Sequence, residues 1–465
     1  MRHHHDPAGL IIFPSVTRLG MAGLLITAVT IAGLFTRQES TLVLLLLGVV
    51  VVLWISELVP LHYTSLGIPI VLTISQAVPA TDALTPFVHP IILLFFAGFL
   101  MAEAMKRAGL DKLVATQLIA RAGKTPKTLF AALLGVAAFL SMWMSNTAAI
   151  TVLLPVALAV ANAADSPSYR KAVILGLAYA GTIGGVGSAI GTPANPLAIE
   201  FINELTGRQI GFVEWFLFGL PFVAIFLPLM GAYLWRISKV TVDAEKFTQA
   251  SAAAQTQIGE IQSLTRPQKE VLAIFFLVIA GWVSQPIHGA ATGHVALAGA
   301  LLLFLRTHIQ WRDLTIISWP TLLTFGGGLS LGMAMSASGA ANLLVDQLDT
   351  LGGWPTPLAL TAMAMAALLL TTIASNTAAA AMLIPLAIPL AALVGVDPVL
   401  LVLVVAMATS IDFALVVGTP PTMLAYQTGF FTSREILRKG SFLDALGIFL
   451  LLVAVVPLWL LFGLV

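Results

Sequence analysis

Two tripeptides in this chain carry side chains that could bind small ions. Ser145-Asn146-Thr147 and Ser375-Asn376-Thr377 lie 230 positions apart, each inside a long apolar run (SMWMSNTAAITVLLPVALAVA and TTIASNTAAAAMLIPLAIPLA). Each has a hydroxyl four residues before its serine, Ser141 and Thr371, and a proline further on, Pro155 and Pro385. Each is followed by an apolar run interrupted at Gly-Thr-Pro: Gly191-Thr192-Pro193-Ala194-Asn195 and Gly418-Thr419-Pro420-Pro421-Thr422. Proline removes an amide hydrogen and breaks a helix. Such breaks free carbonyl oxygens, which with hydroxyls suit a small hard cation. They also free helix N-terminal amides, which suit an anion. None of these four stretches contains Lys or Arg. An anion held here has no basic side chain to neutralise it, and an unpaired dianion in low dielectric costs many kcal/mol. Co-bound cations are the remedy, so the residue types point to anion–cation cotransport. The competing reading is that Ser, Thr, Ala and Gly merely allow close helix crossings and interhelical hydrogen bonds. Two tips and two breaks in register favour the binding role.

The elements that position these residues are membrane helices. The chain is 59% hydrophobic and 9% charged, and ordinary soluble proteins carry about 25% charged residues. Many apolar runs reach the roughly 20 residues needed to cross a bilayer, so the fold class is an all-α polytopic membrane protein. Its net charge of +1 argues against nucleic-acid binding, and the absence of cysteine excludes a disulfide framework or thiolate metal site. The N-terminal RHHHD is left out of the reading. Expected spans are 19–35, 41–59, 65–78, 90–105, 212–235, 271–285, 295–305, 316–336 and 442–461, with broken spans at 172–202 and 399–428. Segments 128–161 and 356–394 carry the tripeptides. A polar linker, 239–269, reads as a surface helix.

The basic residues orient these segments. Clusters run from Lys106 to Lys127, at Arg170–Lys171, from Arg236 to Lys269, at Arg306 and Arg312, and from Arg434 to Lys439. All can be cytoplasmic only if segment 128–161 enters and leaves on the same side, as a re-entrant hairpin. No Lys or Arg occurs between Asp313 and Ser433, so the second hairpin enters from outside. About eleven spans, two hairpins and a cytoplasmic N-terminus in the cell membrane follow. At the same 230-residue offset Pro90, Phe95, Gly98 and Gly109 meet Pro320, Phe325, Gly328 and Gly339. With opposite insertion this is an inverted repeat, an architecture of secondary transporters with midplane sites at broken helices.

Asp412 stands in an apolar run just before the second break, and intramembrane carboxylates are functional by default. It is a possible coupling residue, assisting a cation or taking up a proton; alternatively it faces a wet cavity or caps amides freed by the break. Glu57 reads as a structural partner, Glu103 as paired with the nearby basic cluster, and His62, His89, His288 and His294 lack metal-ligand spacing. Trp215, Trp235, Trp311 and Trp319 read as interfacial belts. A membrane-embedded enzyme would need a nucleophile with a base, or a metal cluster, and the apolar segments offer neither. A channel fits poorly with inverted repeats and broken helices.

At these motifs the chain resembles the divalent anion:sodium symporters, the family of bacterial dicarboxylate transporters and mammalian sodium–carboxylate and sodium–sulfate cotransporters. The paired Ser-Asn-Thr tips carry the resemblance. Residues 54–61 (WISELVPL) resemble the family's early E-x-x-P-L stretch, and the match covers nearly everything after residue 40. The resemblance implies a homodimer in membrane lipid, each protomer having a scaffold and a transport domain that slides as an elevator. It divides the chain into scaffold helices (1–127), first transport half (128–235), cytoplasmic linker (236–270), second scaffold part (271–355) and second transport half (356–465). Carried over by residue, it places one sodium ion at Ser141, Ser145, Asn146 and Gly191, and a second at Thr371, Ala374, Asn376 and Gly418. Substrate carboxylates would meet Asn146 and Thr147 at one tip and Ser375, Asn376 and Thr377 at the other, with Thr419 and Pro420 bordering the pocket. Family members often have Pro-Pro-Asn after the second break, where this chain has Pro420-Pro421-Thr422. The first break has Pro193-Ala194-Asn195 in place of a double proline. The implied cargo is a C4-dicarboxylate, with citrate or sulfate as alternatives. Sodium-independent exchange and proton coupling are the alternatives to sodium symport.

Overall fold

The computed structural model describes residues 38–56, 58–111, 113, 117, 125–242, 247, 264–347 and 354–465. The expected span 19–35, Glu57 and most of the linker 239–269 lie outside them.

The regular structure among the described residues is helical throughout. The first half contains α1 (Glu39–Ser56), α2 (Leu61–Ile74), α3 (Pro90–Arg107), α4 (Pro126–Ser141), α5 (Asn146–Ala163), α6 (Pro167–Gly184), α7 (Ala194–Leu205) and α8 (Trp215–Ile237). The second half contains α9 (Arg266–Val283), α10 (Thr292–Leu305), α11 (Trp319–Ala337), α12 (Thr356–Ile373), α13 (Asn376–Val394), α14 (Pro398–Ala408), α15 (Pro420–Gln427) and α16 (Ser433–Leu450). α16 continues through a π turn into a last helix, Val456–Leu461. The order of long, short and broken helices is the same in both halves. Start signals are local: Thr125 and Thr128 form a capping box ahead of Pro126, Ser166 caps α6 ahead of Pro167, and Thr265 with Gln268 caps α9.

The halves interlock reciprocally. α2 packs along α11, and its counterpart α10 packs along α3. Glycine permits both approaches, since a Cβ on Gly327 would meet Ser65 and one on Gly293 would strike the Pro90 carbonyl. α1 and α9 flank this frame. The tripeptide-bearing pairs α4–α5 and α12–α13 wrap α6 and α14 respectively. Residues 172–184 of α6 and 399–408 of α14 are buried on every face, which marks them as the central helices. Large apolar residues such as Ile70, Phe276, Leu301, Leu369 and Val453 face outward instead, as a surface solvated by lipid requires.

Among the described residues, six helical segments are long and apolar enough to cross a membrane: Glu39–Ser56, Ala80–Arg107, Trp215–Ile237, Thr356–Ile373, Asn376–Val394 and Ser433–Leu461. Length alone therefore gives a smaller set than the eleven spans expected, and it includes both arms of the second tripeptide segment. Part of the difference is that span 19–35 lies outside the described residues, and part has a physical cause. α2 and α10 have 14 residues each, about 21 Å of helix at 1.5 Å per residue against a core of about 30 Å. Both central helices, α6 and α14, also stop at their breaks.

Trp215 departs from the expected belt. It is fully buried, and its indole donates to the Val186 carbonyl at 3.0 Å. A carbonyl freed by the first break needs a donor, and this indole supplies it. Glu103 pairs with Arg107 at 3.1 Å as expected, and Arg107 also binds buried Asp313.

Candidate functional site

The two serines of the tripeptides are helix caps. Ser145 Oγ accepts the Ala148 amide at 3.3 Å, and Ser375 Oγ accepts the Ala378 amide at 3.2 Å. Serine at the cap satisfies an orphan amide and leaves Asn and Thr on the first turn of α5 and of α13.

Behind each cap the same oxygen cluster forms. Ser141 Oγ lies 2.6 Å from Asn146 Oδ1 and 2.5 Å from the Gly181 carbonyl. Thr371 Oγ1 lies 2.9 Å from Asn376 Oδ1 and 2.7 Å from the Thr409 carbonyl. A hydroxyl carries one hydrogen and here faces two acceptors, so each cluster has more lone pairs than protons. A small cation suits that imbalance. Close packing makes the first cluster possible: a Cβ on Gly184 would overlap the Ala138 backbone, and one on Gly181 would overlap Ile150. A Cβ on Gly185 would sit 2.6 Å from Asn146 Oδ1 and 2.8 Å from the Gly191 carbonyl. Both oxygens therefore converge on the Gly185 backbone.

The breaks are secured differently. At the first, Asn195 Nδ2 lies 3.0 Å from the Gly185 carbonyl and 2.6 Å from that of Ser188, and Ser188 Oγ binds the Met142 carbonyl. At the second, Thr422 is too short to do this and meets Thr419 Oγ1 at 2.9 Å. Residues on other helices take over: Tyr179 donates to the Phe413 carbonyl at 2.8 Å, and Asp444 accepts the Phe413 amide at 2.9 Å. Asp412 does not cap this break. It is fully buried, and among the described residues neither carboxylate oxygen has a hydrogen-bond partner.

Both tips and both breaks line one cavity of about 430 Å³. Ser145, Asn146, Thr147 and Gly191 border it from the first half, and Ser375, Asn376, Thr377, Gly418, Thr419 and Pro420 from the second. Ser141, Thr371 and Ala374 are buried beneath this lining. Phe95, Phe99, Ser318 and Thr321 form the opposite wall. Among the described residues lining the cavity none carries a charge. The N-termini of α5, α7, α13 and α15 all open there, each equivalent to about half a positive charge. Such ends contribute up to about 2 kcal/mol apiece, whereas desolvating a charged group costs several kcal/mol per ion. Four such ends supply at most about 8 kcal/mol, the same order as the desolvation cost of a dianion, so a cation held beside the anion would tip the balance.

A second cavity, of about 920 Å³, is lined by His89, Glu200, Glu204, Glu214 and Gln285 among others. His89 Nε2 is 3.1 Å from Glu200 and 3.8 Å from Glu204, and their ligating atoms all lie within 4.8 Å. Glu214 is paired with Arg208 at 3.3 Å, whereas Glu200 and Glu204 have, among the described residues, no basic partner other than His89; they repel an anion, so charge rather than size favours the smaller cavity. This grouping was not expected of His89. Its signal in the sequence was Glu200 and Glu204, one helical turn apart beyond the first break.

A family model described as citrate transporter matches residues 51–406. The chain is 29% identical over 430 residues to a sodium-dependent dicarboxylate transporter of Staphylococcus saprophyticus, covering 86% of this chain and 83% of that one. It is 31% identical over 439 residues to the protein of the same description from Staphylococcus aureus strain NCTC 8325, covering 86% and 82%.

Proposed function

This chain belongs to the divalent anion:sodium symporter family, and on that premise we propose that it carries a C4-dicarboxylate across the cytoplasmic membrane together with sodium ions. It is a multi-pass membrane transporter and not an enzyme. The observation that carries the reading is the 430 Å³ cavity, bordered by both tripeptides and free of charged lining. Asn146 and Thr147 on one side, and Ser375, Asn376 and Thr377 on the other, bind the two carboxylates, with Thr419 and Pro420 at the rim. Sodium ions occupy the two oxygen clusters, with Ser141, Ser145, Asn146 and Gly191 around one and Thr371, Ala374, Asn376 and Gly418 around the other. The Gly181 and Thr409 carbonyls join these sets, since each already lies against the cluster's hydroxyl.

Coupling follows from shared residues. Asn146 and Asn376 each face an ion cluster with Oδ1 and the cargo cavity with the first turn of their helices. A bound cation fixes the asparagine that the carboxylate meets. Two sodium ions with a dianion move no net charge, whereas a third would add about 2.3 kcal/mol per 100 mV.

In the proposed cycle the halves are inserted in opposite senses, supported by the basic-residue pattern and by the reciprocal packing of α2 on α11 and α10 on α3. The block of α4–α8 and α12–α16 moves as an elevator against the frame of α1–α3 and α9–α11, in a homodimer with the N-terminus in the cytoplasm. The test is uptake of radiolabelled succinate, citrate and sulfate into proteoliposomes with sodium or choline outside. Sodium-stimulated succinate uptake that unlabelled citrate competes with is expected. Succinate uptake that ignores sodium but requires internal dicarboxylate would replace symport with exchange.

A further inference from the structure

We infer that Asp412 is an anionic ligand of the cation site in the second half, a site that the first half builds from neutral oxygens alone. This inference rests on the sodium-coupled reading above. Asp412 stands six residues before Gly418, as Gly185 stands six before Gly191. The two positions meet their breaks in the same way. A Cβ on Gly191 would overlap the Gly185 backbone, and a Cβ on Gly418 would lie 2.5 Å from Asp412 Oδ1. One half thus puts bare backbone against its ion-binding glycine, and the other puts a carboxylate there.

Among the described residues that carboxylate has no protein partner. Both oxygens are buried without a hydrogen bond, and among the described residues no Lys, Arg or His forms an ion pair with it. The polar groups around it are committed elsewhere. Asp444 holds the Phe413 amide, the Tyr179 hydroxyl donates to the Phe413 carbonyl, and Thr409 Oγ1 donates to the Ala406 carbonyl. A buried, unpaired carboxylate is costly unless something positive joins it. The cluster of Thr371 Oγ1, Asn376 Oδ1 and the Thr409 carbonyl, three residues before Asp412 in the chain, is itself short of protons. A single cation beside Gly418 satisfies both groups. The second site then binds sodium before substrate arrives and more tightly than the first, which has no fixed negative charge.

The test titrates sodium chloride against the thermal unfolding of purified full-length protein in detergent, with choline chloride holding ionic strength and no substrate present. Wild type is expected to be stabilised by sodium. Asp412→Asn is expected to shift the tighter phase at least tenfold to higher sodium, and Asp412→Glu to shift it less than threefold. Should Asp412→Asn fail to fold, Gly418→Ala serves, because its methyl displaces the carboxylate and a rise of the same sign is expected. An unchanged sodium midpoint in whichever neutral or displaced variant folds, beside a sodium-responsive wild type, overturns the role of Asp412 and leaves the symport reading standing. A wild type indifferent to sodium in both unfolding and uptake overturns the coupling and this inference with it.

Discussion

Removing one hydroxyl from each oxygen cluster separates ion binding from helix packing. Thr371→Val keeps the shape of the side chain and deletes the oxygen 2.9 Å from Asn376 Oδ1 and 2.7 Å from the Thr409 carbonyl. If the hydroxyl only ties helices together, its loss strands a buried carbonyl at about 1–3 kcal/mol. The protein would then melt earlier, and its sodium response would be unchanged. If it helps coordinate a cation, the loss resembles that of a hydrogen bond to a charged group, about 1.5–3 kcal/mol. At 1.4 kcal/mol per tenfold, that raises the half-saturating sodium concentration by roughly 10- to 150-fold. Ser141→Ala removes the matching oxygen, 2.6 Å from Asn146 Oδ1, and should move sodium activation the same way. The assay is initial succinate uptake into proteoliposomes across a sodium series, with melting temperatures measured alongside. The expected result is a large rise in half-saturating sodium for both variants, with substrate KM at saturating sodium changed less than threefold. Lowered melting with wild-type sodium activation in both would refute the assignment of these clusters to ions.

Three further outcomes follow. Gly185→Ala places a methyl 2.6 Å from Asn146 Oδ1 and 2.8 Å from the Gly191 carbonyl; uptake should fall at least tenfold while size-exclusion elution is kept, and near-normal uptake would show that the backbone there can move aside. Asn195→Ala strands the Gly185 and Ser188 carbonyls and should cost about 2–6 kcal/mol at 1–3 kcal/mol per buried group, read as a loss of thermal stability that Asn195→Asp does not restore, because a carboxylate has no hydrogen to donate. The Lys171–Glu435 bridge, 2.6 Å long with both side chains about one-third exposed, is the control: Glu435→Gln should change stability by less than about 1 kcal/mol and leave sodium activation unaltered.

The sequence by itself determined the membrane class, the two tips and the two breaks. Each is a local departure from its surroundings: polar residues in an oily run, or a proline that no helix can absorb. Ser145 and Ser375 stood out as polar ligand candidates, whereas their capping of α5 and α13 is seen in the folded chain. Tertiary structure decided which distant groups complete the site. The Gly181 and Thr409 carbonyls have no side-chain signature, and they reach Ser141 and Thr371 only because α6 and α14 pack against the α4–α5 and α12–α13 pairs. His89 meets Glu200 of α7 from the cap of α3, and Asp444 reaches the Phe413 amide from α16. The rule that singled out Asp412 applied equally to Glu200 and Asp444, buried carboxylates in apolar surroundings. Sequence marks a group whose burial is costly, whereas only the folded chain shows whether a partner meets that cost: Asp444 has one and Asp412 does not. Backbone oxygens and long-range partners carry no periodicity along the chain, so their convergence on one cavity is a property of packing alone.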